Sequence, residues 1–371
     1  MKIHPLVAAM LALVSASASA QSAVTLFGIV DAALSVGKGS IADRTRLVSG
    51  AYNTSRIGFR GTEDLGGGMS ASFWLEAGLN TDDGTMAATS TNNQATGTVA
   101  AAAGTSQGLT FNRRATVSLA GGWGEVRLGR DYDPQFWNLV VFDPFGSVGE
   151  GRSLTLINAY GQNPVGSGGP YARGGGTNGL GVRASNSIGY FLPGKLGGFY
   201  GQVQYFLGEN LRTGAATEDD GRGLGMRAGY SAGPFNVAVA YQRSEFAAGD
   251  IKTANIGGSW DFGMAKLMAQ YSRDRVPGQT DKGFLIGALM PVGAGEVRAS
   301  YSQLTSDIAG AEPKARKIAL GYVHNLSKRT AVYTTVARVR NSGGQSIALG
   351  GSTTAVNRSS TGFDLGVRHG F

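Results

Sequence analysis

Arginines at alternating positions are the residues of this sequence best suited to a chemical role. Arg56, Arg60, Arg114 and Arg127 each lie in a segment whose apolar residues recur at every second position, so all four are expected on the opposite, polar face. A guanidinium group stays charged at any accessible pH, and a ring of such groups around a narrow aqueous passage attracts anions and repels cations. The four arginines are therefore candidates for an anion-selective filter.

Other charges near these arginines set the strength of such a filter. Glu76 and Glu125 are the nearby acids on the same predicted face, and they are fewer than the arginines. Arg113 and Arg130 have the opposite parity, and we expect them at a membrane edge or a subunit contact. The alternative is that any aqueous interior is lined with solvated charge, so that the arginines only keep the interior hydrated and do not select ions.

A long polar segment, residues 131–180, carries a second group of candidate side chains. Asp143 and Glu150 would create a transverse field if they faced basic residues across a passage, while Arg152 and Arg173 would add contacts to anions. Asp143 has another possible role, because aspartate before a proline commonly starts a turn. The sequence leaves both readings of Asp143 open.

Residues for catalysis or metal binding are scarce. The chain has no cysteine and three histidines, of which only His324 and His369 lie beyond the first segment. Thiolate metal sites and Cys/His dyads are thereby excluded, and no phosphate-binding or dinucleotide-binding glycine motif is present. A barrel enzyme would need a nucleophile or water activated by paired His and acid. We therefore expect no enzyme activity, no cofactor and no metal.

The elements that would position the arginines are strands, because apolar and polar residues alternate through most of the chain. Phe73, Leu75 and Ala77 alternate with Trp74 and Glu76, and sixteen segments of this kind lie between residues 24 and 371. Tight turns alternate with long polar connections, as short periplasmic turns and external loops do in transmembrane barrels. The pattern predicts an all-β, 16-stranded antiparallel barrel as one domain over residues 21–371.

The alternation fits a membrane because lipid offers no hydrogen-bond partners, so a sheet can span it only by closing on itself. A soluble β-sandwich also alternates, with its apolar face inside, and periodicity alone does not distinguish the two. Aromatic residues near the strand ends, including Tyr190, Tyr241, Trp260 and Tyr333, are expected outward at the membrane interfaces. Strand number, loop asymmetry and 60 glycines favour the membrane barrel.

The N-terminal segment predicts export. Lys2 precedes an apolar run from Leu6 to Val14 and then the small residues Ala18-Ser19-Ala20, which is the order of a signal peptide cleaved after residue 20. The net charge of +8 comes from dispersed residues that form no basic run or nucleic-acid motif. We therefore expect no nucleic-acid partner.

Several segments resemble a known family: VTLFGIVDAAL (residues 24–34), SRIGFRGTEDLGGG (55–68), FNRRATVSLAGGWGEVRLGRDYDP (111–134) and the terminal GVRHGF. DPFG, NSIGY and LSKRT add to the match. Together they resemble the trimeric sixteen-strand general porins of Gram-negative bacteria, and most closely the anion-selective branch. The resemblance covers the chain beyond residue 20.

The resemblance implies a homotrimer in the outer membrane, in which each barrel has its own pore narrowed by an inward-folded third external loop, here residues 131–180. Small anionic and neutral hydrophilic solutes would diffuse passively; the alternative is a substrate-specific channel for an anionic nutrient. It also implies that the outer-membrane assembly machinery reads the terminal Phe371. Outer-membrane lipid and lipopolysaccharide are the remaining expected partners.

Overall fold

The computed structural model describes residues 24–86, 89–94, 98–99, 108–165 and 181–371. The signal peptide predicted at 1–20 and Arg173 lie outside this range. The strands are β1 (Thr25–Lys38), β2 (Arg44–Ser49), β3 (Arg56–Gly66), β4 (Met69–Gly78), β5 (Thr89–Ser90), β6 (Thr98–Val99), β7 (Arg114–Gly121), β8 (Gly124–Tyr132), β9 (Arg183–Phe191), β10 (Phe199–Phe206), β11 (Gly223–Ala232), β12 (Phe235–Ser244), β13 (Ile251–Asp261), β14 (Lys266–Val276), β15 (Gln279–Val292), β16 (Gly295–Ile308), β17 (Lys314–Asn325), β18 (Thr330–Ser342) and β19 (Ser360–Gly370). Helices α1 (Pro134–Val141) and α2 (Leu154–Ala159) lie between β8 and β9.

All strands except β5 and β6 form one antiparallel sheet that closes where β1 pairs with β19. β2 and β3 share one position in the barrel, because β1 pairs with β2 at its upper end and with β3 at its lower end. The barrel therefore has sixteen strand positions, and the sequence-based prediction of fold is confirmed. Between β2 and β3 the chain turns inward, and the Asp31 carboxylate accepts the N–H groups of Tyr52 at 3.0 Å and Asn53 at 2.5 Å.

Burial is inverted relative to a soluble sandwich. Val239, Ile286 and Ile318 point outward and are 50%, 61% and 59% exposed. Gln242 and Ser302 point inward and are buried. An exposed apolar belt around a polar interior suits lipid outside and water inside, which decides the alternative that periodicity left open.

One end of the barrel carries short turns, such as those between β3 and β4 and between β15 and β16. The other end carries the long connections at residues 79–113, 133–182, 207–222 and 343–359. Strand pairing on β16 extends through Ile308, beyond the polar residues Thr305, Ser306 and Asp307. Polar residues can continue a strand there because both faces are in water beyond the membrane.

The connection between β8 and β9 folds into the lumen and supplies large buried apolar side chains, among them Leu139, Phe142 and Leu156. Phe145, Leu154 and Ile157 pack against Leu304 and Val339 of the wall. Neither helix, nor any other in the part of the chain described, is long and apolar enough to cross a membrane. The loop is seated against wall residues that have small side chains or none.

The predicted outward orientation was wrong for one aromatic residue, Tyr333. Tyr190, Tyr241 and Trp260 are exposed on the outer face as expected, but Tyr333 is buried inside, where its hydroxyl donates to a carboxylate oxygen of Asp31. Its neighbour on β18, Val332, is also apolar, so the local sequence did not specify which of the two faces lipid.

Candidate functional site

The loop between β8 and β9, which we call loop three, follows one side of the barrel wall. The Asn138 side chain donates to the carbonyl of Ala238 on β12 at 3.0 Å. Further along, the Glu150 N–H donates to the Asp364 carboxylate on β19 at 2.9 Å. Because the loop occupies the β11–β19 side, a passage remains on the opposite side, along β3, β4 and β7 to β9.

A cavity of about 370 Å³ lies between loop three and that opposite wall. Loop three contributes mainly apolar side chains, among them Phe136, Trp137 and Val140. That wall contributes Arg56, Arg113, Arg183 and Tyr132, while Tyr52 comes from the inward turn between β2 and β3 and Arg298 comes from β16. The narrowed part of the lumen therefore has one apolar and one strongly basic side.

Three of these arginines share one carboxylate and one phenol. Arg113 donates to Glu76 Oε1 at 2.5 Å and to the Tyr132 hydroxyl at 2.5 Å, and Arg183 donates to the same hydroxyl at 3.1 Å. Arg56 lies 3.8 Å from Glu76. Glu76 is the one acid of the described chain within 4.0 Å of any of these three guanidinium groups, so the cluster keeps an excess of positive charge at the cavity wall.

The Tyr132 ring also holds this cluster in place. The Arg183 guanidinium carbon lies 4.5 Å from the ring centroid and that of Arg113 lies 5.8 Å away. Guanidinium groups stack on aromatic faces and keep their charge there, so like-charged side chains can be packed together. The arrangement fixes the basic wall without neutralising it.

A second arginine stack lies elsewhere on the cavity wall. Arg298 donates to the Tyr52 hydroxyl at 3.0 Å and to Glu296 at 2.8 Å. Arg368 approaches the same ring, with its guanidinium carbon 5.9 Å from the centroid. Tyr52 reaches this position because the chain turns inward between β2 and β3.

Of the four arginines predicted from alternation, only Arg56 lines the cavity. Arg60 and Arg114 stack on the Trp74 ring at 5.1 and 4.8 Å. Arg127 is paired with Glu125 at 3.0 Å and Asp131 at 2.6 Å. Arg60, Arg114 and Arg127 lie on neighbouring strands of the same wall, and their part in selectivity stays a prediction.

Asp143 lies at the edge of the cavity, but its carboxylate is directed into loop three. It accepts the N–H groups of Phe145 at 2.9 Å and Ser153 at 2.8 Å. Burial raises its pKa to about 6. This geometry matches the turn-forming reading of Asp143, and the carboxylate does not face the basic wall.

Glu150 and Arg152 line a separate hollow of about 250 Å³, together with Arg46 and Lys317. The buried Lys317 ammonium donates to the backbone carbonyl of Glu150 at 2.7 Å and to that of Arg152. Arg152 also lies over the Tyr160 ring and donates to Gln162. Both residues lie where the tip of loop three contacts the barrel wall. Their contact with solutes stays a prediction.

The sequence reading missed Arg183 and Arg298 and was wrong about Arg113. Arg113 precedes the first residue of β7, where the alternation of that strand no longer sets its direction. Arg183 opens β9 directly after loop three, but Arg298 alternates with Val297 and Ala299 and was detectable from parity. Arg130 is buried, donating to the Asn112 carbonyl at 2.6 Å and the Ser185 hydroxyl at 2.7 Å.

Within the described ranges, no group of three His, Asp or Glu residues is arranged to hold a metal ion. The acids near the cavity serve as partners of arginines and of backbone N–H groups. The charged chemistry that the site offers to a solute is therefore that of guanidinium groups, which bind and steer anions.

Comparisons with known proteins point in the same direction. The profile of the Gram-negative porin family matches residues 7–344. Outer membrane porin protein 32 of Delftia acidovorans is 36% identical over 375 residues, covering 96% of each chain. A second outer membrane porin protein, from Bordetella pertussis, is 27% identical over 432 residues and covers all of both chains.

Solved structures with the same architecture include an anion-selective porin from Comamonas acidovorans. It is 34% identical, covers 95% of this chain and 100% of its own, and gives a TM-score of 0.77. The trimer form of OmpT from Vibrio cholerae covers 94% of this chain and 99% of its own with a TM-score of 0.63. At 13% identity, this second structure shows likeness of fold alone.

Proposed function

Because this chain belongs to the Gram-negative porin family, we propose that its barrel lets small hydrophilic solutes diffuse passively across the outer membrane with a preference for anions. It is an outer-membrane channel protein and not an enzyme. The relative from Comamonas acidovorans, described as anion-selective, supports the preference. The solutes are small anions and, less favourably, small neutral molecules.

The observation that carries the proposal is the excess positive charge of Arg56, Arg113 and Arg183, which have Glu76 as their one close acid, at the narrowed part of the lumen. A passage with low-dielectric walls focuses the field of such charges, and potentials of several kT raise the local concentration of anions. The facing side of loop three is mainly apolar, so little nearby charge opposes this field. Anions should therefore enter more readily than cations.

Arg60, Arg114 and Arg127 extend the basic wall, and we propose that they guide anions on either side of the narrowing. Arg152 and Arg173 belong to the same proposal as further basic contacts of loop three, with Glu150 and Asp143 as its acids. Two of the group are partly neutralised, because Arg127 and Arg114 both lie within 4.0 Å of Asp131. Their effect should therefore be smaller than that of the cavity arginines.

Reconstitution in a planar bilayer under a salt gradient tests the preference. The zero-current potential should have the sign that anion permeation requires, and it should be largest in dilute salt, where screening is weakest. A potential with the cation sign, in a preparation that conducts as an open channel, would contradict the proposal.

A substrate-specific channel for an anionic nutrient is the second candidate. Convergence of four guanidinium groups on one cavity favours it, since phosphate and carboxylate groups are bound by such forks. Conductance that saturates with one organic anion and is blocked by it would select this function. Conductance that rises linearly with each small anion would select general diffusion.

We propose that the mature protein starts after residue 20, is a single domain over 21–371, and assembles as a homotrimer. The resemblance of several segments to the trimeric general porins supports the assembly. The apolar outer faces of β1 and β7, with Leu34, Val117 and Leu119 exposed, suit a subunit contact. Its other proposed partners are the outer-membrane assembly machinery, outer-membrane lipid and lipopolysaccharide.

A further inference from the structure

Exposed basic side chains are concentrated on the outer surface of one sector of the barrel, at the end that carries the long loops. We define the basic rim as the following six residues: Arg273, Arg275, Lys282, Arg316, Arg338 and Arg340. They belong to β14, β15, β17 and β18 and alternate with buried inward residues, so all of them point away from the lumen. Their position removes them from the pore described above.

Strand register places like charges directly opposite one another. Arg273 pairs with Lys282, and Arg316 pairs with Arg340. Directly opposed residues have Cβ atoms about 5 Å apart, and like charges at this distance destabilise a sheet. An anion between each pair would remove that repulsion.

No acid of the described chain lies within 4.0 Å of a rim side-chain nitrogen. The ion pairs present include none of the six rim residues. Arg243 and Lys252, on the adjoining strands β12 and β13, do share Asp250, at 2.8 and 3.7 Å. The rim is thus a surface of unpaired basic side chains, and it lies next to a surface on β12 and β13 where the basic side chains are paired with an acid.

The rim lies directly above the apolar belt. Tyr271 and Phe284 are opposite each other and are the outward residues one step before Arg273 and Lys282. Ile318 and Val336 hold the same relation to Arg316 and Arg338. One step is two residues, or about 7 Å, so the charges stand at the level of lipid headgroups while their neighbours face acyl chains.

The opposite sector has no such rim. Strands β4, β7, β9 and β10 carry no outward Arg or Lys. On β1, which is two strand positions from β18, the last residue, Lys38, is held by Asp43 at 2.7 Å. Charges that served only to keep the loop end in water would be spread around the barrel. Their concentration on β14, β15, β17 and β18 therefore indicates a local function of this sector.

We propose that the basic rim binds the phosphate groups of an anionic, phosphorylated lipid in the outward leaflet, with the acyl chains of that lipid on the apolar belt. This rests on the outer-membrane placement in the proposed function. Guanidinium groups take phosphate oxygens bidentately. The β14/β15 and β17/β18 groups are three strand spacings apart, about 14 Å, so each can take one phosphate of a bisphosphorylated lipid or of two neighbouring lipids.

The test compares two quadruple variants of the folded protein in detergent. The rim variant is Arg273→Gln, Lys282→Gln, Arg316→Gln and Arg340→Gln. The matched control removes the same charge from exposed residues elsewhere: Lys195→Gln, Arg212→Gln, Lys328→Gln and Arg329→Gln. The probes are bisphosphorylated lipid A, the same lipid dephosphorylated, and inorganic phosphate.

We expect the rim variant to bind bisphosphorylated lipid A on the order of 100-fold more weakly than the control, with dephosphorylated lipid bound weakly by both. Equal affinities of the two variants would overturn the proposal, and so would equal binding of the dephosphorylated lipid. Rim-dependent binding of inorganic phosphate as tight as that of the lipid would indicate a site for soluble anions instead. The zero-current potential of the same preparations separates failure of this proposal from failure of the channel function.

Discussion

At the scale of single residues, the cavity arginines differ in what their removal would leave behind. Arg113 is buried against Glu76 and Tyr132, whereas Arg56 is less tightly paired, at 3.8 Å from that acid. Removing one partner of a buried ion pair leaves an uncompensated charge, which is strongly destabilising. Substituting Arg56 and Arg183 therefore tests selectivity without leaving Glu76 buried and unpaired, whereas substituting Arg113 would also destabilise the fold.

The first prediction concerns selectivity. Arg56→Gln with Arg183→Gln should remove the excess positive charge while leaving the Arg113–Glu76 pair intact, and the zero-current potential in dilute salt should move toward the cation sign. Arg60→Gln with Arg114→Gln removes the same charge outside the cavity and is the matched control, with a smaller expected shift. Equal shifts would mean that the filter extends along the wall, as sequence parity suggested.

The second prediction concerns Asp143. Burial raises its pKa from an unfolded value of about 4 to about 6, so the native state binds more protons between these values and stability falls as pH rises from 4 to 6. Asp143→Asn should abolish this part of the pH dependence, on the order of 2 kcal/mol, because an amide stays neutral. Thermal unfolding from pH 4 to 7 measures it, and an unchanged profile in the variant would contradict the assignment.

At the scale of elements, loop three depends on wall positions without side chains. A Cβ on Gly257 would lie 2.2 Å from the Phe142 ring, and one on Gly287 would lie 2.5 Å from Pro144. Cores are close-packed, so an added group must displace the loop or strain the strand. The narrowing of the lumen is thus decided by the wall as well as by the loop.

The third prediction uses this seat. Gly257→Val should displace loop three and widen the passage, giving a larger single-channel conductance and faster uptake of bulkier solutes. Gly258→Val is the matched control, because its Cβ faces outward with the nearest heavy atom 3.3 Å away. Unchanged conductance in a folded Gly257→Val protein would show that the loop does not set the narrowest point.

At the scale of the whole molecule, Phe371 takes part in the seam that closes the barrel. The Phe371 N–H donates to the Gly28 carbonyl and the Gly28 N–H donates to the Phe371 carbonyl, both at 3.1 Å. The Phe371 ring lies over Gly28, where a Cβ would be 2.3 Å away. The seam between β1 and β19 therefore ends on an aromatic residue that also ends the chain.

The fourth prediction follows from that seam. Deleting Phe371 removes two backbone hydrogen bonds and the ring, and it should lower the yield of heat-modifiable trimer several-fold, because the barrel seam is completed at this end. Phe363→Ala, an outward aromatic further up the same strand, is the matched control and should have a small effect. Normal trimer yield after the deletion would show that the terminal Phe is dispensable.

The sequence by itself determined the barrel, its sixteen strand positions and the orientation of many side chains. Successive side chains of a regular strand point to opposite faces, so a two-residue repeat assigned Arg56, Arg60 and Arg114 to the face opposite the apolar residues. The same rule failed for Tyr333, whose neighbour Val332 is also apolar, and for Arg113, which precedes its strand.

Only the tertiary structure decided which charged residues meet at the narrowing. Arg113 and Arg183 are 70 residues apart in sequence and are brought together by the Tyr132 hydroxyl at the end of β8. Tyr52 reaches the lumen through the inward turn held by Asp31. Asp143 turns away from the passage because backbone N–H groups of its own loop bind its carboxylate. Such contacts depend on loop path and strand closure, which no local repeat encodes.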